Sequence, residues 1–93
     1  MGYCGKYLPI KNYLESSKNL QEELSYSKIK EILKRDLPNS AYIYREWWSN
    51  GGHSQSDSWM EAGWKVEDVE LKEKILFVKT GQVKVKNYIQ KRE

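Results

Sequence analysis

The chain is 93 residues long, 39% hydrophobic and 31% charged, with a formal net charge of +3. A chain of this length forms one small domain and leaves no room for a second. It contains no run of about 20 apolar residues and no apolar leader after a charged start, so we expect a cytoplasmic protein. One cysteine, Cys4, and one histidine, His53, supply too few soft ligands for a zinc site. We therefore expect neither a metal nor a cofactor.

Charge is distributed unevenly along the chain. Residues 1–64 carry eight basic and eight acidic side chains, and residues 65–71 sum to −2. Residues 72–93 carry seven basic and two acidic side chains, which gives +5. We divide the domain into a core over about 6–80 and a basic C-terminal extension over 81–93. A cationic end on a neutral body suits binding to a polyanion, although a solvated charged face is the commoner explanation.

Two helices are predicted in the first third of the chain. The stretch "KYLPIKNYLESS" predicts a short helix over about 10–17, and "SKNLQEE" predicts a polar connection after it. Ser25 or Ser27 can cap a second helix, "SKIKEILKR". Its apolar residues recur at i, i+3 and i+4 on one face, which we expect to enter the core: Ile29, Ile32 and Leu33.

A third helix is predicted after Pro38, capped by Asn39 or Ser40 and continuing through Ser49. It is apolar around most of its circumference, so we expect it at the centre of the domain, packed on two sides. The following "NGG" predicts a tight turn, because glycine readily adopts the left-handed conformation at the end of a helix.

The remaining elements are a short helix and two strands. Ser54 followed by Asp57 predicts a capping box at the start of a helix whose Trp59 and Ala62 face inward, and Gly63 ends that helix. Alternating apolar residues then predict strands over about 65–71 and 75–80, joined at residues 72–74. The pattern of the tail after residue 82 fits either a third strand or a frayed helix.

This order of elements predicts an α+β fold of winged-helix type, with three or four short helices followed by a β-hairpin. In that fold the last helix of the core faces the DNA major groove and the hairpin lies beside it. Many α+β domains of this size share the order, so it favours the fold without specifying a function.

The stretch "LPNSAYIYREWWSNGGHSQSDSWMEAGWKVEDVEL" resembles a family of small uncharacterised bacterial and phage proteins. Members of that family resemble one another in a Leu-Pro-x-Ser-Ala start, a Trp-Trp-x-Asn element, a His-x-Gln and an Ala-Gly-Trp-x-Val exit into a hairpin. The resemblance covers about residues 6–79. It depends on the following residues: Leu37, Pro38, Ser40, Ala41, Trp47, Trp48, Asn50, His53, Gln55, Trp59, Ala62, Gly63, Trp64 and Val66. This chain departs from the pattern at Lys34, where such sequences usually have Gly, and at Ser56, where they usually have Ala. The resemblance implies no particular activity.

The leading functional hypothesis is DNA binding by the last helix and the hairpin. Glutamine can bond adenine in a bidentate manner, and serine can bond a base edge or a phosphate. We expect the polar residues of the short helix to face outward and read DNA, while basic residues contact the phosphate backbone. The predicted nucleic-acid contacts are Arg45, Gln55, Ser56, Ser58, Lys72, Lys74 and Lys79. A polar helix face that serves only solubility is about equally consistent with the pattern, and Asp57 and Glu61 weaken the hypothesis.

A second candidate surface consists of Trp48, Asn50 and His53. Trp47, Trp59 and Trp64 are best interpreted as core anchors. Trp48 points about 100° away from Trp47 on an α-helix, so one of the two is expected to wall a groove. Such a groove would bind a protein partner, as in an inhibitor of a host protein made by a phage or mobile element, or a nucleotide or modified base.

Catalysis is not expected. His53 has only the ordinary hydroxyl of Ser54 near it in sequence, and no orienting acid lies at a diagnostic spacing. The simplest interpretation is that His53 and Asn50 fix the turn by hydrogen bonds to the backbone.

Overall fold

The computed structural model describes residues 5–80. After a 3₁₀ turn at Gly5–Tyr7 the elements alternate between helices and strands. They are α1 (Leu8–Ser16), β1 (Gln21–Ser25), α2 (Tyr26–Leu33), α3 (Asn39–Ile43), a 3₁₀ turn at Arg45–Trp48, α4 (Ser54–Met60), β2 (Trp64–Glu70) and β3 (Lys74–Lys79). The predicted α+β class is confirmed, and the likeness to a winged helix stays a prediction. Cys4 and the tail over 81–93, for which we predicted a strand or helix, lie outside the described residues.

The three strands form one antiparallel sheet in the order β1-β3-β2. β3 is central, and its Ile75 and Phe77 are fully buried. The hairpin of β2 and β3 lies within one residue of the prediction, with a register shift between Val66 and Asp68. The prediction of a polar connection before α2 was wrong, because β1 pairs with β3 there. Only Leu24 of β1 is buried, so its local pattern carries almost no strand signal.

The predicted helix over 39–49 is two elements rather than one. Tyr44 is extended, with φ −115° and ψ 123°, and it separates α3 from the 3₁₀ turn. The expectation of a helix buried on two sides was therefore wrong: Ile43 is 57% exposed and Tyr44 is 56% exposed.

Local capping agrees with the sequence in α2 but not in α4. The Ser25 hydroxyl accepts a hydrogen bond from the Lys28 backbone N–H at 3.0 Å, as predicted for an N-cap. α4 begins at Ser54, so its N-cap is His53, and the predicted Ser54–Asp57 capping box is not formed. The hydroxyl of Ser56 accepts from the His53 N–H at 3.3 Å and donates to the His53 carbonyl at 2.8 Å.

A row of aromatic rings forms the centre of the core. Trp48 stacks on Trp59 with ring centroids 6.0 Å apart, and Trp59 meets Phe77 edge-on at 5.6 Å. The indole N–H of Trp48 and the hydroxyl of Tyr26 both donate to the Ala41 carbonyl, at 3.0 and 2.6 Å. Polar ring edges are thus satisfied inside the core, which allows a small domain to bury large rings.

Candidate functional site

The three polar residues of α4 that we predicted to read DNA do not face solvent. Gln55 is 7% exposed, and Ser56 and Ser58 are fully buried. Gln55 Nε2 donates to the Trp47 carbonyl at 3.1 Å, and the Ser58 hydroxyl donates to the Gln55 carbonyl at 2.5 Å. The expectation that these three side chains form an outward reading face was wrong. Gln55 and Ser56 lie four and three residues before the buried Trp59, which places them on its face of the helix.

Arg45 also has a role within the fold, because its Nη1 donates to the Val69 carbonyl at 2.6 Å and so ties the 3₁₀ turn to β2. Lys79 Nζ donates to the Ser17 carbonyl at 3.2 Å and lies 5.3 Å from the centroid of the Trp64 ring. Both cations are thus already engaged by groups of the domain itself.

The hairpin lysines do not form one cationic ribbon. Lys72 occupies the turn with φ 69°, and Lys74 lies beside it, 3.2 Å from a carboxylate oxygen of Glu23. The pKa of Lys74 is raised above its ordinary value, first by its hydrogen bond to Glu23 and then by neighbouring carboxylates. Lys79 lies at the other end of β3, five residues or about 16 Å from Lys74. The arrangement leaves no continuous positive face along the described hairpin.

The described body is electrically neutral as a whole. Residues 5–80 carry 12 basic and 12 acidic side chains. Residues 81–93 carry four basic side chains and one acidic side chain, and these account for the net +3. Any general attraction of this chain for polyanions therefore arises from its last residues rather than from the surface of the α4 helix and hairpin.

The predicted partner surface of Trp48, Asn50 and His53 is also rearranged. Trp48 is 1% exposed and belongs to the core. Asn50 Oδ1 accepts from the Trp59 indole N–H at 2.9 Å and from the Val66 N–H at 2.8 Å, while its Nδ2 donates to the Val66 carbonyl at 2.9 Å. Asn50 is therefore a structural bridge between the glycine turn, α4 and β2. Asn50 and His53 are both exposed, but the Asn50 side chain is already used by these hydrogen bonds within the fold.

The two adjacent tryptophans have exchanged their expected places. Trp48 is the buried ring, and Trp47 is only partly buried. Their ring centroids are 4.7 Å apart in an edge-on pair, and Trp47 also meets Tyr7 edge-on at 5.7 Å. These contacts hold the Trp47 ring in place at the edge of the core.

Trp47 forms part of a cleft of about 480 Å³. Its lining combines aromatic, acidic and neutral polar groups: Ser40, Tyr44, Glu46, Trp47, His53 and Gln55. Tyr44 and the neighbouring Ile43 leave more than half of their surface exposed. Clefts of this size with a few polar groups are suited to holding one side chain or a small ring.

Sequence reasoning had found His53 and Gln55 as candidates but had missed the other lining residues. Tyr44 and Trp47 lie within the continuous helix that we predicted, which was expected to pack on two sides. The sequence did contain an indication of this surface. The predicted helix is apolar around most of its circumference, and a short helix in a small domain cannot bury all of its faces, so some of its apolar residues must be exposed.

A second cleft, of about 620 Å³, lies between α1 and α2. There Lys28 lies 5.7 Å from the centroid of the Tyr13 ring and 3.7 Å from a carboxylate oxygen of Glu31. The cation, the carboxylate and the ring of this cleft already interact with one another, so fewer of its groups are left to contact a ligand than in the cleft at Trp47.

Other site classes receive no support within residues 5–80. No group of three or more His, Cys, Asp or Glu side chains in this range is arranged to hold a metal ion. Within the same range, every helix is too short or too polar to cross a bilayer.

Comparison with protein families identifies the chain over most of its length. Residues 7–81 match the model of a family described as a domain of unknown function, DUF7662, and the chain belongs to that family. No curated protein and no solved structure is similar enough to this chain to be identified as a relative.

Proposed function

We propose that this member of the DUF7662 family is a non-catalytic binding domain that recognises a segment of a protein partner in the cleft at Tyr44, Trp47 and His53. The observation that carries the proposal is the exposure of Tyr44 and Ile43, at 56% and 57%, beside a cleft with a fixed tryptophan wall. Aromatic side chains at a cleft commonly dominate the energy of a protein interface.

The chemistry of the surface supports this choice over a polyanion. The polar residues that could have read bases are buried, and the cleft contributes the carboxylate of Glu46. A carboxylate opposes a phosphate, whereas an exposed Tyr beside an exposed Ile favours an apolar segment. Covering both side chains removes roughly half of each from water, which stabilises a complex by about 2–3 kcal/mol in total.

A selection experiment tests the proposal. Random displayed peptides are selected on the wild-type protein, and the affinity of the enriched peptides is measured for wild type, Tyr44→Ser and Leu20→Ser. Leu20 is 66% exposed and does not line the cleft, so it is the matched control. We expect Tyr44→Ser to weaken binding about tenfold or more, while Leu20→Ser changes it less than about twofold. Equal affinity for wild type and Tyr44→Ser would refute the proposal.

DNA binding is the second candidate, and the arrangement of elements favours it. A helix, a strand, two helical segments, a further helix and a hairpin follow one another, with the first strand paired to the last. This order suits a winged helix. The test measures the affinity for a labelled duplex at several salt concentrations, for wild type and for the protein with Lys72, Lys74 and Lys79 changed to Gln. DNA binding through the wing predicts a smaller salt dependence in the triple variant. No binding at low salt, or an unchanged slope, would exclude this mode.

A further inference from the structure

We propose that the cleft at Tyr44, Trp47 and His53 binds an arginine side chain of the partner. The inference rests on the proposed function and specifies the partner's chemistry. It follows from three features that the cleft combines: aromatic faces, a carboxylate that forms no ion pair within residues 5–80, and a buried amide whose oxygen accepts no hydrogen bond within the same range.

Tyr44 and Trp47 supply the aromatic faces. A guanidinium group binds over such rings through cation–π attraction and stacking, and it loses less hydration than an ammonium group does. Trp47 is fixed by its edge-on contacts with Tyr7 and Trp48, so one face of the binding site is already ordered before the partner arrives. A preordered wall lowers the entropic cost of binding.

Glu46 supplies the charge. It is exposed, lies in the cleft lining and forms no ion pair with any residue from 5 to 80. The neighbouring cation, Arg45, is held on the Val69 carbonyl instead. The carboxylate is thus available to a cation from outside, and it disfavours phosphate and other anions at the same place.

Gln55 supplies a second acceptor. Its side chain is almost completely buried, and its Nε2 donates to the Trp47 carbonyl at 3.1 Å. This bond fixes the orientation of the amide, and no hydrogen-bond donor within the described chain reaches its Oε1. Gln55 lines the cleft, so a hydrogen-bond donor that enters there can pair with this acceptor.

Arginine fits this combination better than lysine. A guanidinium group offers five N–H donors in a planar fork, so it can bond the Glu46 carboxylate and the Gln55 oxygen while its plane lies against a ring. An ammonium group is a compact, strongly hydrated charge without a plane to stack. The cleft of about 480 Å³ exceeds the volume of the guanidinium, and the remaining space accommodates the neighbouring residues of the partner.

The test is an NMR titration of the ¹⁵N-labelled full chain with three acetylated, amidated tripeptides that have arginine, lysine or uncharged citrulline at the centre. We expect arginine to bind most tightly and to shift the Trp47 indole and Gln55 side-chain amide signals. In Glu46→Gln the arginine peptide is expected to bind about five- to tenfold more weakly and to lose its advantage over citrulline. The matched control is Glu67→Gln, an exposed carboxylate on β2 that pairs with Lys65 and does not line the cleft.

Equal binding of citrulline and arginine, no effect of Glu46→Gln, or shifts confined to other surfaces would overturn the inference. These results are separable from failure of the proposed function. If the selected peptides bind Tyr44→Ser more weakly than wild type but bind Glu46→Gln as tightly as wild type, the cleft binds a partner without an arginine. If Tyr44→Ser leaves their affinity unchanged, the cleft itself is not the binding site.

Discussion

Asn50 provides the most sensitive test of how the glycine turn is attached to the domain. Its Oδ1 accepts from the indole N–H of Trp59, which is fully buried, and from the backbone N–H of Val66, which is 8% exposed. Asn50→Ala removes this acceptor and leaves both donors without a partner. Each orphaned buried donor costs about 1–3 kcal/mol, so we expect a loss of about 2–5 kcal/mol in the free energy of unfolding.

A loss of this size is a large fraction of the stability of a small domain, which is about 5 kcal/mol or somewhat more. At about 4–8 °C per kcal/mol, a loss near 3 kcal/mol lowers Tm by about 12–24 °C. The assay is urea unfolding followed by tryptophan fluorescence. Asn50→Asp keeps the acceptor oxygen and is expected to lose at least about 1 kcal/mol less than Asn50→Ala. Asn12→Ala, on the exposed side of α1, is the control and should change stability by less than about 0.5 kcal/mol. An Asn50→Ala variant as stable as wild type would refute the bridging role.

Three further predictions concern backbone strain, ionisation and capping. Lys34 ends α2 in the left-handed region, with φ 60° and ψ 33°, so Lys34→Gly should raise the free energy of unfolding by about 0.5–1 kcal/mol in the same urea assay. Burial raises the pKa of Tyr7 above its ordinary value of 10.0, and the charge of Arg35 offsets this only in part. The folded state therefore resists ionisation of Tyr7. The resulting contribution to stability is present below pH 10.0 and is lost as the pH rises through the higher folded-state pKa. In Tyr7→Phe this contribution is absent, so the urea midpoint should fall less steeply above pH 10.0 than it does in wild type. Ser56→Ala removes both hydrogen bonds to His53 and should cost about 0.5–1.5 kcal/mol, and a stabilised variant would contradict the capping role.

The features that the sequence predicted well are local ones. The cap of Ser25, the helix after it and the hairpin each follow from residues close together in the chain. β1 could not be predicted in this way, because its pairing with β3 joins residues far apart in the chain, from 49 positions for Ser25 and Lys74 to 57 positions for Gln21 and Val78. Its five residues contain a single buried side chain, so the strand depends on the edge that β3 offers.

The candidate site was only partly predictable for a related reason. A continuous helical period through Tyr44 placed Trp47 inside and Trp48 at the surface. The extended backbone of Tyr44 and the 3₁₀ turn that follows change the directions of the side chains over Arg45–Trp48, so that Trp48 is buried and Trp47 lies at the edge of the core. Gln55 was recognised as important, but its proximity to Trp59 along one helix face makes it a buried anchor rather than an outward reader.

The most direct measurement of the central claim locates a bound partner on the protein. A peptide selected on the wild-type domain is added to the ¹⁵N-labelled chain, and the shifted signals are mapped onto residues 5–80. The proposed function predicts that the largest shifts belong to Tyr44, the Trp47 indole and His53, and that the hairpin turn at Lys72 is unaffected. Shifts centred on the hairpin or on the α1–α2 cleft, with the Trp47 indole unchanged, would contradict it.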